Sequence, residues 1–313
     1  MRKKVSILLL TFSFMLSILL VGCNSNKNNN EAQFNESEYK NVDYFITPQE
    51  LNKVIGNKDI ILLDCNKPEV YQKKHIPGAV NIGIHAFSDI SNKIGDPGWG
   101  TILDKAKLQN KMESLGIDNN KTVVFYSDVF KGPGADGRAV WQSKIAGLDN
   151  VKMLVGGLSY WQDLGYETTD KVSKATATKG LELKDYDTSY IATKEYVKEN
   201  LGKTVIIDVR TKGEYEGSQK VGEPRGGHIK GAINMPWLEL LNDDGTPKGK
   251  NEIKKIMASI GVKPEDDFVL YWTMGIRSGY AAMILKAVGF ENVKNYEGSI
   301  YEWGGDSSLP MEK

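Results

Sequence analysis

At 313 residues, with forty basic and forty acidic side chains and no net charge, the chain is long enough for two domains and lacks the basic bias of a nucleic-acid binder. Two cysteines exclude a disulfide framework. Three histidines, unclustered and with at most one spare thiol beside them, exclude an evident metal centre, and no cofactor motif is present.

The chain begins with a positive stretch, Arg2, Lys3 and Lys4, followed by an uncharged and mostly apolar run from Val5 to Leu20. A membrane span needs about 20 apolar residues, so this run suits a signal peptide over residues 1–22. Leu20-Val21-Gly22-Cys23 resembles the lipobox of bacterial lipoproteins. That resemblance implies diacylation at Cys23, which would become the mature N-terminus, and a body held outside the cytoplasm on the cell membrane. Residues 23–42 are dominated by Asn and other polar types and read as a disordered tether.

Two domains are expected beyond the tether, at 43–170 and 185–313, with a Thr/Lys/Ala-rich linker at 171–184. Thr47-Pro48-Gln49-Glu50 predicts a helix start, with Thr as cap, Pro in first position and Glu in third. Short apolar runs at 60–63, 123–126 and 152–155 predict strands buried on both faces. The chain then repeats itself. Ile61-Leu62-Leu63-Asp64 and His75-Ile76-Pro77-Gly78-Ala79 return as Val205-Ile206-Ile207-Asp208 and His228-Ile229-Lys230-Gly231-Ala232. Val123–Tyr126 returns as Phe268–Tyr271, and Gly157 and Trp161 return as Gly298 and Trp303. Residues 277–288 predict a helix stopped by Gly289. Alternating strands and helices give an α/β class, each copy a mainly parallel sheet flanked by helices.

Ligands of such sheets bind beyond the carboxyl ends of the strands. The turn after Phe268–Tyr271 is the candidate: Trp272, Thr273, Met274, Gly275, Ile276, Arg277 and Ser278. Backbone N–H groups, a helix N-terminus and Arg277 would together make an anion cradle. The alternative is a structural turn with Arg277 in a surface ion pair.

Taken together, Asp208-x-Arg210, Glu214-Tyr215, Gly227-His228-Ile229-x-Gly231-Ala232, the turn ending in Arg277, and Gly298-Ser299 with Glu302-Trp303 resemble the rhodanese family. The tandem arrangement is similar to thiosulfate and 3-mercaptopyruvate sulfurtransferases. The resemblance implies two rhodanese-like domains, the first non-catalytic and the second carrying the site. It also implies a loop cysteine that takes a sulfane sulfur from a small anion and passes it to cyanide or a thiol. Asp208 and Arg210 would lie beside that loop, Arg210 helping to hold it, or else pair with each other.

The family pattern Cys-x-x-Gly-x-Arg fits Gly275 and Arg277, but places Trp272 at the cysteine. In the first domain the counterpart is Ser127, with a longer Gly-rich stretch before Arg138. Neither loop has a thiol. Cys65 ends a first-domain strand and reads mainly as a buried hydrophobe. His75 and His228 share a repeat position and should share a structural task, such as bonding a loop carbonyl. Arg225 could face the substrate mouth. The expected function is therefore a crippled module in which Trp272 closes the pocket, binding a thiosulfate- or mercaptopyruvate-like anion or a protein partner. The alternative is an active sulfurtransferase that uses Cys65 or in which residue 272 is misassigned.

Overall fold

The computed structural model describes residues 34–313, so the expected signal peptide, Cys23 and the first part of the tether lie outside the described residues. Thr47 caps the first helix by accepting from the Glu50 N–H, while the Glu50 carboxylate accepts from the Thr47 N–H. That reciprocal box starts the first domain: β1 (Phe45–Ile46), α1 (Pro48–Val54), β2 (Ile60–Asp64), α2 (Pro68–Tyr71), β3 (Val80–Asn81), α3 (Lys105–Ser114), β4 (Thr122–Tyr126), α4 (Ala135–Ile145), β5 (Val151–Leu154) and α5 (Gly157–Asp163). The second domain repeats the plan with β6 (Ile191–Ala192), α6 (Lys194–Glu199), β7 (Val205–Asp208), α7 (Lys212–Tyr215), β8 (His228–Ile229), β9 (Ile233–Asn234), α8 (Lys250–Ser259), β10 (Phe268–Tyr271), α9 (Ile276–Val288), β11 (Val293–Tyr296), α10 (Ser299–Gly305) and β12 (Met311–Glu312).

Each domain holds a five-stranded sheet, in the orders β1-β5-β4-β2-β3 and β6-β11-β10-β7-β9, with every neighbouring pair parallel. The match of the two orders is the structural form of the sequence repeat. β8 and β12 add a small antiparallel pair. The segment between the domains has no helix or strand, yet it is tied to the first: Leu181 and Leu183 are buried, and Thr178 N–H donates to the Glu113 carbonyl.

The helices that follow the two central strands, α4 and α9, pack against each other. Nearly every residue in both is buried, which a helix without a polar face requires. Their backbones come close because Gly137 meets Tyr280 and Gly279 meets Arg138; a Cβ on Gly137 would sit 2.6 Å from the Tyr280 Cα. One hydrophobic core runs through both domains, including Phe125 and Val140 from the first and Leu270 and Ile284 from the second. This packing brings the N-termini of α4 and α9, and the loops that feed them, to the domain interface.

Residues 34–42, expected to be part of a disordered tether, are packed against the body. Tyr39 is buried, stacks on Phe34 at 4.8 Å between ring centroids, and donates its hydroxyl to the Lys248 carbonyl at 2.7 Å. The Lys40 and Asn41 N–H groups both donate to the Ala287 carbonyl. Burial of Tyr39, with Phe34 partly buried beside it, and these backbone hydrogen bonds oppose the ordering cost of this short polar stretch.

Candidate functional site

The second-domain loop from Trp272 to Gly275 turns all of its carbonyls one way. Trp272 O accepts from Ile300 N–H and Thr273 O from Tyr301 N–H, each at 3.1 Å. Met274 O accepts from Arg138 Nη1 and Gly275 O from Asn295 Nδ2, each at 3.0 Å. A peptide plane carries its N–H opposite its carbonyl. The N–H groups of Thr273, Met274 and Gly275 therefore face away from these partners, and no acceptor among the described residues is paired with any of them. Gly275 closes the turn at φ 72° as the N-cap of α9, and a Cβ there would sit 2.7 Å from the Glu297 Cα.

Side chains add to the same surplus. Trp272 Nε1, Thr273 Oγ1, Arg277 Nε and Ser278 Oγ are all buried without a hydrogen-bond partner. Buried donors left unpaired are rare and costly, and here they gather on one loop at the positive end of a helix dipole. Arg277 lies over the Trp272 ring, its Cζ 4.6 Å from the centroid, and is held from the far side by the Glu214 carboxylate at 3.3 Å. Trp272 itself is buried. What the loop lacks is a group that could bond sulfur.

The first-domain loop is built on the same frame and filled by its own acids. Ser127 occupies the place of Trp272, since its carbonyl accepts from Leu158 N–H as that of Trp272 does from Ile300. Gly134 caps α4 at φ 73°, as Gly275 caps α9. Two residues on stands Asp136, so Asp136 and not Arg138 is the counterpart of Arg277. The Ser127 hydroxyl donates to Asp136 at 2.7 Å, Asp128 N–H to Asn66 Oδ1 at 2.7 Å, and Lys131 N–H to Asp128 Oδ1 at 3.2 Å. A carboxylate replaces the cation, and Asp136, Asp128 and, from the neighbouring β2 loop, Asn66 each accept from one of this loop's donors. With Asp136 in the place of Arg277, this loop lacks the cation that the second-domain loop carries.

A family model for the rhodanese-like domain matches residues 47–164 and 193–306, once for each domain. The chain belongs to the rhodanese family. It is 30% identical over 280 residues to a thiosulfate sulfurtransferase of Pseudomonas aeruginosa, covering 88% of this chain and 99% of that one. It is 32% identical over 257 residues to the sulfur carrier protein TtuD of Thermus thermophilus, covering 78% and 87%. Its fold is shared with an anaerobic ergothioneine biosynthesis enzyme from Chlorobium limicola, at a TM-score of 0.77 and 24% identity, covering 88% of this chain and 71% of that one.

This rhodanese corrects several expectations drawn from its sequence. Arg138 does not belong to the first-domain loop; it crosses the interface to the second. Of the two readings of Arg210, the structure shows the pair with Asp208. Its fork is committed to Asp208 (2.6 Å), Glu223 (3.2 Å) and the Gly227 carbonyl (2.7 Å), and Asp208 also accepts from the Tyr271 hydroxyl. Burial opposes the Arg210 charge, but Asp208 more than offsets it and raises the pKa. Arg225 does not face a substrate mouth. It donates to the carbonyls of Trp303, Gly304, Asp306 and Leu309 and so ties the C-terminal end of α10 to the 217–227 loop. His75 and His228 each place Nδ1 on a carbonyl, of Tyr71 and Tyr215, and each stacks on that tyrosine ring.

Cys65 is 1% exposed, and burial, with Asp136 and Asp64 behind it, pushes its thiol well above the ordinary range. A thiol that is neither ionised nor reachable is a poor nucleophile. Glu214 and Ser299 belong to the pattern that resembles the family, whereas Glu297 and Asp136 do not. The repeat partner of Gly157 is Ser299 and not Gly298: both stand six residues into their strand-to-helix segments and both take positive φ, 61° and 53°.

Asp136 supplies a pH test. Burial pushes its carboxyl up to about 6, with Ser127 and neighbouring N–H groups opposing. Because the folded pKa lies above the unfolded one, this group favours the fold in acid and loses that contribution as pH rises through about 6. Asp136→Asn is therefore expected to be about 1–3 kcal/mol more stable than wild type at pH 7.5, the gap shrinking to about 1 kcal/mol or less by pH 4.5 and closing below the unfolded pKa of about 3.9. Denaturant unfolding at the two pH values checks this; a gap that ignores pH contradicts it.

Proposed function

We propose that this protein is a rhodanese module that binds a small sulfur-containing anion of the thiosulfate or mercaptopyruvate type in its second-domain cradle and does not transfer sulfur. The observation that carries the reading is the set of unpaired donors on one loop: three consecutive N–H groups, the Trp272 and Arg277 nitrogens and two hydroxyls. Donors arranged in this way favour an anion with several acceptor oxygens. Relatives named as thiosulfate sulfurtransferases support the ligand class. Indole cannot become a persulfide, and Cys65 is buried in the other domain, so the chemical step has no carrier. Lipid on Cys23 would display the module on the outer face of the cell membrane, where its partner is a small anion or a protein that presents one.

Calorimetric titration of the full chain in detergent with thiosulfate and with 3-mercaptopyruvate tests the proposal. Saturable binding is expected, weakened about tenfold or more by Arg277→Gln, as loss of a charged hydrogen bond implies. With cyanide added, no thiocyanate should form. Failure to saturate sinks the binding claim. Thiocyanate production that Cys65→Ser abolishes would make the protein an active enzyme instead. The anchor is checked in the same preparation, since Cys23→Ser should move the chain to the soluble fraction.

A further inference from the structure

Four carbonyls are turned out of the cradle, and three of the groups that hold them belong to the second domain: Ile300, Tyr301 and Asn295. The fourth is Arg138 of the first domain, whose Nη1 takes the Met274 carbonyl at 3.0 Å. Met274 C=O and Gly275 N–H share one peptide plane, so the group that holds the carbonyl also aims the N–H. We infer that Arg138 is a positioning residue for the second-domain cradle, and that the first domain, with no anion site of its own, completes the site of its neighbour.

The surroundings of Arg138 fit that task. Its side chain is 1% exposed. Nη2 donates to the Gly100 carbonyl and to Glu297 Oε1, the latter at 2.9 Å. Glu297 is in turn fixed from the first domain by the Ile102 N–H at 3.0 Å and the Gln142 amide at 3.3 Å. Its backbone is the surface on which Gly275 rests. The planar fork thus reads both domains at once, gripping a carbonyl of each and a carboxylate between them. A lysine could keep the charge but not both carbonyls. In the second domain the matching α9 position is Gly279, which only makes room for Arg138. The repeat is asymmetric at this point, and the asymmetry serves one loop.

This inference rests on the cradle reading above, and its test separates the two. In the full chain, Trp272→Cys places a thiol at the mouth of the loop, and the pH dependence of its alkylation reports how strongly the N–H groups favour an anion there. The parent thiol should ionise below the ordinary value of about 8.5. Adding Arg138→Lys should raise the midpoint, and adding Arg138→Met with Glu297→Gln should raise it further, by about one pH unit, a tenfold loss of ionisation. The double change removes equal and opposite charges, so it strands neither, and its shift reports the aim of the dipole. A merely structural interface residue would lower the melting temperature and leave the midpoint where it was. Equal midpoints in folded variants overturn the role of Arg138 alone. A parent thiol at the ordinary value overturns the cradle and, with it, this role.

Discussion

The full chain carrying Trp272→Cys is expected to convert thiosulfate and cyanide to sulfite and thiocyanate at least about a hundred times faster than wild type. Elsewhere, removing an active-site nucleophile costs roughly 10⁴–10⁶ in rate, and restoring one to an unspoiled frame should return a good part of that. The frame is present: outward carbonyls, unpaired N–H groups, and Arg277 two residues past the αL glycine. In the family reaction, the thiolate would attack the outer sulfur of thiosulfate, breaking the S–S bond and releasing sulfite. Cyanide would then take that sulfur and regenerate the thiolate. Replacing the indole with a thiol also opens the volume that a bound sulfur needs and frees Arg277 from the ring it now covers. Thiocyanate formation, measured beside wild type and Cys65→Ser, decides the matter. A folded variant that stays silent would mean that the loop has lost more than its nucleophile.

Arg210→Met should unfold this protein far more readily than any change in the cradle. Asp208 is fully buried, Glu223 nearly so, and Arg210 is the one cation within salt-bridge distance of either among the described residues. Removing it strands two carboxylates, and breaking such a pair costs about 3–5 kcal/mol. In a chain of this size that lowers Tm by roughly 5–8 °C. Denaturant unfolding would show it, and the double change of Arg210→Met with Asp208→Asn should recover part of the loss. A cost below about 1 kcal/mol would mean that the cluster is as weak as a surface pair.

How much of this was legible depends on whether the cause is local. Thr47, Pro48 and Glu50 make their cap within four residues, and the structure places the helix where those residues predict it. The strand at 268–271 and the helix stopped by Gly289 are local in the same sense. Reading two copies of one domain needed only the ordered matches between Asp64 and Asp208, His75 and His228, and Trp161 and Trp303. The absence of a cysteine at 272 is a fact of the sequence alone. By contrast, the first-domain arginine was misplaced because a longer loop shifts the helix start, and only backbone geometry shows that Gly134, not Arg138, sets the frame. The tether was read as disordered to residue 42 because composition counts its polar residues and cannot see the face that Tyr39 buries.

The order of residues by itself determined the family, the tandem α/β plan, the place of the loop from Trp272 to Arg277 and the absence of a cysteine at 272. All of these rest on residue type and spacing along one chain. Only the tertiary structure decided that the first loop holds an acid against its own serine, that Arg210 is a buried strut, and that Arg138 bonds the other domain's loop. The physical reason is common to the three. Hydrogen bonds and charge pairs between distant segments depend on which side of a helix or peptide plane faces the neighbour, and no local periodicity records that.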